Sequence, residues 1–388
     1  MAITIQQQPQ KYSPAYNPIE FVLTSGNSGA AGFKYVVVLN IAGEDPQTFY
    51  LQPAPIGGHG YIDIHRIIEN YLSYDFKIDN SAHFFANSKS YKKYSLSFDE
   101  ITTADQSLPN FPINSGDYYA FNASLSYFEN ILYDQNDFIL NGVTKRFLTN
   151  APLIQRIERD QKFWIYYLRD VIDVADNMFI EYYDISGALV TTNYFNIFPV
   201  IPISEHFIRF NLLPGDFPAP YYKIVTYTKN AALDTITSEK RTFIIDDRCK
   251  NHEVIKIHFL NKLGGFDFFN FIRASKNSLS IDRGGYKSIP GTITAGGSIH
   301  SEKDRGNVDT NVNYSERVSV NSDWINEEES KWLQELITSP VIFQEKDNKL
   351  FAINTQTLNY EFKKTKTDRI FNLKFEFEYS ITNSRQRA

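Results

Sequence analysis

The sequence predicts a mainly β protein with few helices, and two observations support this fold class. The 388 residues include 25 Tyr and 31 Phe but only 2 Met, and aromatic side chains favour pleated, half-buried strands over helices. Apolar and polar residues also alternate along several segments that are bounded by glycine or proline turns, as expected of strands with one buried face. A chain of this length can bury several cores without disulfides or metals.

Composition and charge narrow the classes of protein further. The single cysteine, Cys249, cannot form an intramolecular bridge and fits folding in a reducing compartment. The first residues lack the basic start and apolar core of a secretory signal, and no run approaches the roughly 18 apolar residues of a membrane span. We therefore expect synthesis in the cytoplasm and no membrane partner. The net charge of −6 argues against a general nucleic-acid binder.

Residues 1–18 are predicted to form an N-terminal arm. This stretch contains Gln6–Gln8 and three prolines, and it has few apolar side chains to offset an ordering cost of about 1–2 kcal/mol per residue. The last residues, 384–388, carry two arginines beyond the final alternating strand. We expect both ends to be ordered by docking on a neighbouring subunit.

Residues 19–146 are predicted to form a first β-sandwich domain with an insertion. Alternate residues from Phe33 to Ile41 are apolar, which indicates a strand with one buried face. Asp63 is placed to cap a helix with isoleucines at helical spacing. The run 99–146 is interpreted as an insertion that reaches a partner, and its second half fits either a strand pair or an amphipathic segment.

Residues 147–250 are predicted to form a second β-sandwich domain that repeats the first. The two segments align at a nearly constant offset through these pairs: Trp164 with Phe21, Ile180 with Tyr35, Gly187 with Gly43, Tyr194 with Phe49, and Ile208 with Ile62. A constant offset indicates duplication, although two unrelated β-domains with period-two strands would also align. Two such units fit tandem immunoglobulin-like or fibronectin-like sandwiches.

Residues 251–388 are predicted to form a C-terminal β-sandwich with one flanking helix. Two aromatic strands flank the turn KLGG, which predicts a hairpin, and the glycine-punctuated run 284–311 is interpreted as a flexible loop. Asn326 is placed to cap a helix that packs Trp332 onto the terminal sheet. Phe371–Tyr379 alternates between aromatic or aliphatic and charged residues, as in a strand with one solvated face.

No residue is assigned a catalytic, cofactor-binding or metal-ligating role. His252 and His258 share a face of a predicted strand but lie roughly 20 Å apart at ~3.3 Å per residue, too far for one metal ion. Asp170, Asp173 and Asp176 form an acidic turn whose spacing lacks the alternate ligands and the glycine of a calcium loop. The glycine pairs precede no phosphate-binding helix, so they are interpreted as turns.

A basic segment, Lys363–Arg369, is predicted at a hairpin tip near the end of the chain. A solvated turn that discourages edge pairing is one interpretation. Contact with an acidic neighbouring subunit, or with DNA in a tube lumen, is the other.

Three stretches resemble virion proteins of tailed bacteriophages that infect Bacteroidetes hosts, including crAss-like phages. They are QQQPQKYSPAYNPIEFVLTS, KRFLTNAPLIQRIERDQKFWIYYL and IKIHFLNKLGGFDFFNFIRAS. The C-terminal order of strand, helix and final strand is similar to distal-tail, baseplate and tail-tube-like phage domains, in which such units pack into rings.

The resemblance implies a non-enzymatic structural component of a virion tail, baseplate or neck, assembled in the host cytoplasm. Its partners would be further copies of itself in a homo-oligomeric ring and other virion proteins, and it would need no cofactor. A receptor- or glycan-binding module of the tail, with a host surface glycan as partner, is the alternative. A capsule-degrading hydrolase is a third hypothesis.

Overall fold

The computed structural model shows that the protein is mainly β, since strands account for 50% of it and helices for 9%. It describes residues 3–76, 82–103, 106–107, 112–140, 145–170, 177–197, 200–202, 204–230, 232, 235–247, 250–357 and 371–385. The chain forms two compact units. Unit 1 comprises Met1–Asp247 and Asn261–Asp267, and unit 2 comprises Arg248–Leu260 and Phe268–Ala388.

Unit 1 contains eighteen of the described strands and two α-helices. In chain order they are β1 (Thr4–Gln7), β2 (Tyr12–Pro14), β3 (Glu20–Thr24), β4 (Lys34–Ile41), β5 (Gln47–Leu51), β6 (Gly60–Asp63), α1 (His65–Ile68), β7 (Phe84–Ala86), β8 (Tyr91–Thr102), β9 (Gln106–Ser107), β10 (Ile113–Asn114), β11 (Tyr118–Phe121), α2 (Tyr127–Ile131), β12 (Ile154–Ile157), β13 (Phe163–Leu168), β14 (Asn177–Tyr183), β15 (Leu189–Asn196), β16 (Phe207–Leu212), β17 (Lys223–Lys229) and β18 (Arg241–Ile245). Short 3-10 helices cover Glu69–Tyr71, Gln135–Asp137 and Pro214–Asp216.

The two halves of unit 1 repeat one topology. The first half has a five-strand path β2-β11-β8-β4-β5, and the second half has the path β12-β18-β17-β14-β15. In each path the first strand is parallel to its neighbour and the other pairings are antiparallel. The turns β4–β5 and β14–β15 contain Gly43 and Gly187 at φ values of 85° and 84°. This shared order is what the predicted duplication requires.

Each half also has a three-stranded sheet, and here the two halves differ. The first sheet has the order β1-β3-β6 and the second the order β13-β16-β7. The outer strand β7, Phe84–Ala86, comes from the first half of the chain and pairs with β16 of the second half. The predicted alternation in β4 is confirmed, because every second residue from Phe33 to Ile41 is buried.

The N-terminal residues belong to unit 1, so the prediction that the arm 1–18 is ordered only by a neighbouring subunit is wrong for residues 3–18. β1 pairs antiparallel with β3, and β2 pairs parallel with β11. Tyr12 and Ala15 are 1% and 0% exposed. Their burial offsets the ordering cost, and the parallel partner of β2 is too distant in sequence to be read from local composition.

The helix predicted after Asp63 is a single α-turn, α1, continued by a 3-10 turn. Asp63 does act at its start, because Asp63 Oδ1 accepts hydrogen bonds from the N–H groups of His65 at 3.1 Å and Ile19 at 3.0 Å. The run 99–146 contains β9, β10 and β11, which all pair with β8. It also contains α2, so it holds both strands and a short helix.

Unit 2 contains one large sheet, one small hairpin and two helices. The elements are β19 (Ile255–Leu260), β20 (Phe266–Phe271, whose first two residues lie in unit 1), β21 (Lys276–Lys287), β22 (Thr292–Thr294), β23 (Gly297–Ile299), β24 (Asn307–Ile325), α3 (Glu327–Trp332), α4 (Gln334–Thr338), β25 (Ile342–Lys346), β26 (Lys349–Thr355), β27 (Phe371–Tyr379) and β28 (Asn383–Ser384). The large sheet has the order β20-β19-β25-β26-β27-β24-β21, and β28 pairs with β24.

The predicted helix after Asn326 is confirmed, although it is divided into α3 and α4 at Leu333. The Asn326 side chain accepts a hydrogen bond from the N–H of Glu329, and the Glu329 carboxylate accepts one from the N–H of Asn326, both at 2.8 Å. Trp332 is buried, and its ring lies 5.7 Å from Phe259 and 6.1 Å from Phe269 between centroids. The helix therefore packs on the sheet as predicted.

Two further predictions for this region have opposite outcomes. The hairpin at KLGG is confirmed, because β19 and β20 are adjacent and Gly264 adopts a φ of 84°. The prediction that 284–311 is a flexible loop is wrong, because the run continues β21 and β24 as paired strands and closes through β22 and β23. Strands exposed on both faces need no apolar alternation, so their sequence resembles a loop.

The C-terminal residues 384–385 also pair within the chain, which corrects the expectation that they are ordered only by a neighbouring subunit. Ser384 lies in β28 and pairs with Asn313 of β24. The N–H of Arg385 donates a hydrogen bond to the Val312 carbonyl at 2.9 Å, and its guanidinium lies 5.5 Å from the centre of the Tyr314 ring.

Candidate interaction surfaces

The longest feature of unit 2 is a β-arm formed by β21 and the first part of β24. Its antiparallel register runs from the pair Lys276–Ser319 to the pair Lys287–Asn307. The neighbouring strands β27 and β28 pair with β24 as far as Asn313, and the Arg385 N–H bonds to the carbonyl of the next β24 residue, Val312. Beyond that residue, within the described chain, β21 and β24 pair with each other alone, so the arm continues as a two-stranded ribbon with β22 and β23 at its tip.

The β-arm exposes large apolar side chains along its length, each between 51% and 74% exposed. They are Leu279, Ile281, Tyr286, Ile289, Ile293 and Ile299. Grouped apolar side chains on a surface mark interaction sites more often than single ones. A two-stranded ribbon also presents main-chain N–H and C=O groups along its edges, and these can pair with a further strand.

Unit 1 has a second exposed apolar surface, the α2 patch. The capping box of α2 fixes its first turn, because Ser126 N–H donates to Glu129 Oε2 at 2.9 Å and Glu129 N–H donates to Ser126 Oγ at 3.4 Å. Lys262 Nζ lies 3.2 Å from Glu129 Oε1. The patch comprises four side chains that are 61–80% exposed: Tyr127, Phe128, Ile131 and Leu132.

A pocket of about 360 Å³ opens in unit 2 beside the base of the β-arm, and polar groups converge on it. Its walls include the Glu253 and Glu316 carboxylates, the Lys346 ammonium group and the Gln344 amide. The Tyr379 hydroxyl donates to Gln344 Oε1 at 2.7 Å. Burial, and then the Glu316 and Glu253 charges, raise the pKa of Tyr379, so its hydroxyl stays protonated. Small-molecule sites in proteins usually have volumes of roughly 300–1,000 Å³, and this pocket lies at the lower end of that range.

The outer face of the β12-β18-β17-β14-β15 sheet carries a row of aromatic rings, which we call the lysine–aromatic face. Cross-strand neighbours Tyr194, Phe179 and Tyr227 lie on adjacent strands. Each successive pair of rings is stacked, with centroids 5.6 Å apart. Tyr194 is 58% exposed, whereas Phe179 and Tyr227 are buried. Stacked rings on a flat sheet offer a planar apolar surface beside polar groups.

Lysine ammonium groups cover the buried part of this row. Lys229 Nζ lies 4.9 Å from the centre of the Phe179 ring, and Lys240 Nζ lies 4.5 Å from that of Tyr227. Lys223 Nζ lies 4.0 Å from the centre of the ring of Tyr183, its cross-strand partner. Such cation–π contacts hold a long side chain near one place.

One carboxylate, Glu181, lies at the centre of the lysine–aromatic face. The Tyr227 hydroxyl donates to Glu181 Oε1 and the Tyr183 hydroxyl to Oε2, both at 2.7 Å. Lys240 Nζ lies 3.8 Å from the same carboxylate. Burial first, and then the bond to Glu181, raise the pKa of Tyr227, while the bond to Glu181 is the main cause of the raised pKa of Tyr183. Both hydroxyls therefore remain protonated and donate hydrogen bonds to this carboxylate.

The residues weighed as ligands in the sequence are not brought together among the described parts of the chain. His258 is fully buried with Nε2 2.8 Å from Glu345 Oε2, whereas His252 is exposed. Asp170 pairs with Lys11 at 3.2 Å. Cys249, Asp173, Asp176 and the basic segment Lys363–Arg369 lie outside the described residues.

Two general types of site are absent from the described residues. No group of three or more His, Cys, Asp or Glu side chains there could hold a metal ion. No helix found in those ranges has the length and hydropathy needed to cross a bilayer. Comparison with known proteins adds no relative, because no family model and no curated protein sequence matches this chain.

Proposed function

We propose that this chain is a non-enzymatic structural component of a bacteriophage virion, in the tail, baseplate or neck, and that it acts through contacts between copies of itself in a ring. Other virion proteins would be its further partners. The two repeats of unit 1 would be immunoglobulin-like or fibronectin-like sandwiches, followed by a tail-tube-like or baseplate-like sandwich in unit 2. The resemblance of three sequence stretches to such virion proteins supports this assignment.

The observation that supports assembly best is the β-arm. A ribbon whose apolar side chains are 51–74% exposed has no apparent use in an isolated chain, because such surface favours burial by about 25 cal/mol per Å². The α2 patch on unit 1 adds a second surface of the same character. Contacts between two different surfaces of identical copies close into rings when the rotation between copies allows it.

Shortening the β-arm tests this proposal. Because Lys287 and Asn307 are paired across the ribbon, residues 288–306 can be replaced by Asn-Gly, the preferred two-residue hairpin turn. We expect the shortened chain to keep its melting temperature but to lose the oligomer that wild type forms at micromolar concentration, measured by native mass spectrometry.

The matched control is Ile56→Ser, which removes an isoleucine that is 89% exposed in a turn of unit 1. This variant should assemble as wild type does. A wild-type chain that stays monomeric with and without its virion neighbours, or an oligomer unaffected by the shortened arm, would contradict assembly through the arm.

A receptor- or glycan-binding module is the second candidate, favoured by the pocket of unit 2. Its carboxylates and amide could accept and donate hydrogen bonds to the hydroxyls of one sugar ring, and Tyr379 supplies an aromatic wall. A glycan array with wild type and Glu316→Gln would test it, with Glu302→Gln, an exposed residue of the arm, as the control. Binding that Glu316→Gln abolishes and Glu302→Gln retains would favour this candidate.

A further inference from the structure

The lysine–aromatic face of unit 1 has a charge that contrasts with the rest of the molecule. Register places Arg156, Lys223 and Lys229 on the same side of the sheet as the aromatic row, together with the Glu181 carboxylate. Lys240 adjoins this side through its contact with Tyr227. The whole chain, in contrast, has a net charge of −6. A locally basic surface on an acidic protein selects anionic partners, because it attracts them while the remaining surface repels them.

The exposed fraction of each aromatic ring indicates which class of anionic partner this face can bind. Tyr194 presents its ring to solvent, whereas Phe179 and Tyr227 lie beneath lysines and below 8% exposure. A single-stranded nucleic acid needs several open rings for successive bases, and this face offers one. A sugar ring needs one aromatic surface for its apolar side, with charged or hydroxyl groups at its rim.

Two lysines of this face lie away from Tyr194, where they suit the more distant rings of an acidic sugar chain. Lys240 contacts Tyr227 at the other end of the row and its side chain is 48% exposed, and Lys223 contacts Tyr183. Glu181 is engaged by two tyrosine hydroxyls, which reduces its repulsion of an incoming carboxylate.

We infer that the lysine–aromatic face binds an acidic polysaccharide laid along the row, with one uronic-acid ring stacked on Tyr194 and the carboxylates of rings farther along the sugar chain paired with Lys240 or Lys223. This goes beyond the assembly proposed above, because it assigns unit 1 a ligand that is independent of the β-arm. The same surface could bind a host capsule whether or not the chain forms a ring.

The test measures binding of the full chain to immobilised polygalacturonate by biolayer interferometry, with dextran as the neutral polysaccharide. We expect polygalacturonate but not dextran to bind, and added salt to weaken the binding. Tyr194→Ala and the double variant Lys223→Gln/Lys240→Gln should each weaken it by about tenfold, as for loss of one charge-assisted or stacking contact.

Matched controls separate this site from general surface effects. Tyr50→Ala removes a tyrosine that is 61% exposed on β5, and Lys349→Gln removes an exposed lysine of β26; both should bind polygalacturonate as wild type does. The melting temperatures of all variants establish that they are folded. Absence of polygalacturonate binding, equal losses in the controls, or tighter binding of a thymidine oligonucleotide than of polygalacturonate would overturn the inference.

Discussion

Two tryptophans of unit 2 lie close in sequence but in opposite environments. Trp332 is 3% exposed and contacts two phenylalanines of the sheet, whereas Trp324 on β24 is 65% exposed. Trp332→Ala should therefore lower the free energy of unfolding by roughly 3–5 kcal/mol, as for other buried aromatics. Trp324→Ala should change it by less than about 1 kcal/mol. Urea titration of both variants measures this, and equal effects would show that α3 does not anchor the sheet.

The stability of unit 1 depends on pH through His206. It is 2% exposed, its Nδ1 lies 2.7 Å from the Tyr12 hydroxyl, and its ring lies 4.0 Å from that of Tyr119. Burial is the main cause that lowers the pKa of His206, partly offset by the hydrogen bond to the Arg169 carbonyl and by Asp170. The folded state thus disfavours the proton more than the unfolded state does.

The sign of the pH effect follows from this difference. Above the unfolded pKa of about 6.5 His206 is neutral in both states, so its full contribution to stability is present. As the pH falls from that value toward the lower folded pKa, the unfolded state binds the proton first and stability is lost. Unfolding measured at about pH 7.5 and about pH 5.5 should show a smaller loss for His206→Gln than for wild type. An equal loss in both would assign the effect to other groups.

At the scale of elements, the N-terminal strands are part of the core of unit 1. The Tyr12 ring stacks on Tyr119 at 5.1 Å between centroids, and the Tyr12 N–H donates to Gln135 Oε1 at 2.8 Å. Deleting residues 2–16 removes these contacts and the parallel pairing with β11. We expect the deletion to lower the melting temperature of the isolated chain clearly, and Tyr12→Ala alone to cost about 3–5 kcal/mol.

Circular dichroism with thermal denaturation checks this expectation, and Arg385→Ala, at an exposed residue near the other end of the described chain, serves as the control. If the N-terminal deletion left the melting temperature unchanged while oligomer formation weakened, the segment would act as a docking arm in solution.

The elements that could be predicted from the sequence are those set by local signals. The Asn326 capping box and the alternation in β4 need only neighbouring residues, and both are present in the structure. The β-arm could not be recognised, because exposed strands rich in Gly, Ser and Thr lack apolar alternation. Pairing of β2 with β11 depends on residues far apart in the chain, so composition alone suggested an unpaired arm.

The lysine–aromatic face shows why the candidate site was missed in the sequence. Alternation within β14 places Phe179, Glu181 and Tyr183 on one side, and alternation within β17 does the same for Lys223 and Tyr227. Taken alone, each strand has the residue pattern of an ordinary amphipathic strand. Only the register between the strands brings rings, ammonium groups and carboxylate together, and a single sequence does not specify that register.

At the scale of the whole molecule, two five-strand paths of the same order organise unit 1, and one segment from later in the chain completes it. The residues Asn261–Asp267 belong to unit 1 although the chain before and after them belongs to unit 2. The Asn261 amide donates to the Leu148 carbonyl at 2.9 Å. A Cβ at Gly264 would lie 2.4 Å from the Asn122 carbonyl oxygen, so this close approach requires glycine.

Because Asn261–Asp267 comes after the rest of unit 1 in the sequence, unit 1 cannot complete its folding until this segment has left the ribosome. The chain emerges from its N-terminus, and unit 1 cannot be finished when Asp247 leaves the exit tunnel, because Asn261–Asp267 is still inside the tunnel. At roughly 5–20 residues per second the wait is about one to four seconds. During that interval the carbonyls of Leu148 and Asn122 lack their final neighbours. A product of premature termination before Asp267 would consequently carry an open flank on unit 1, which the quality-control proteases of the cell could recognise.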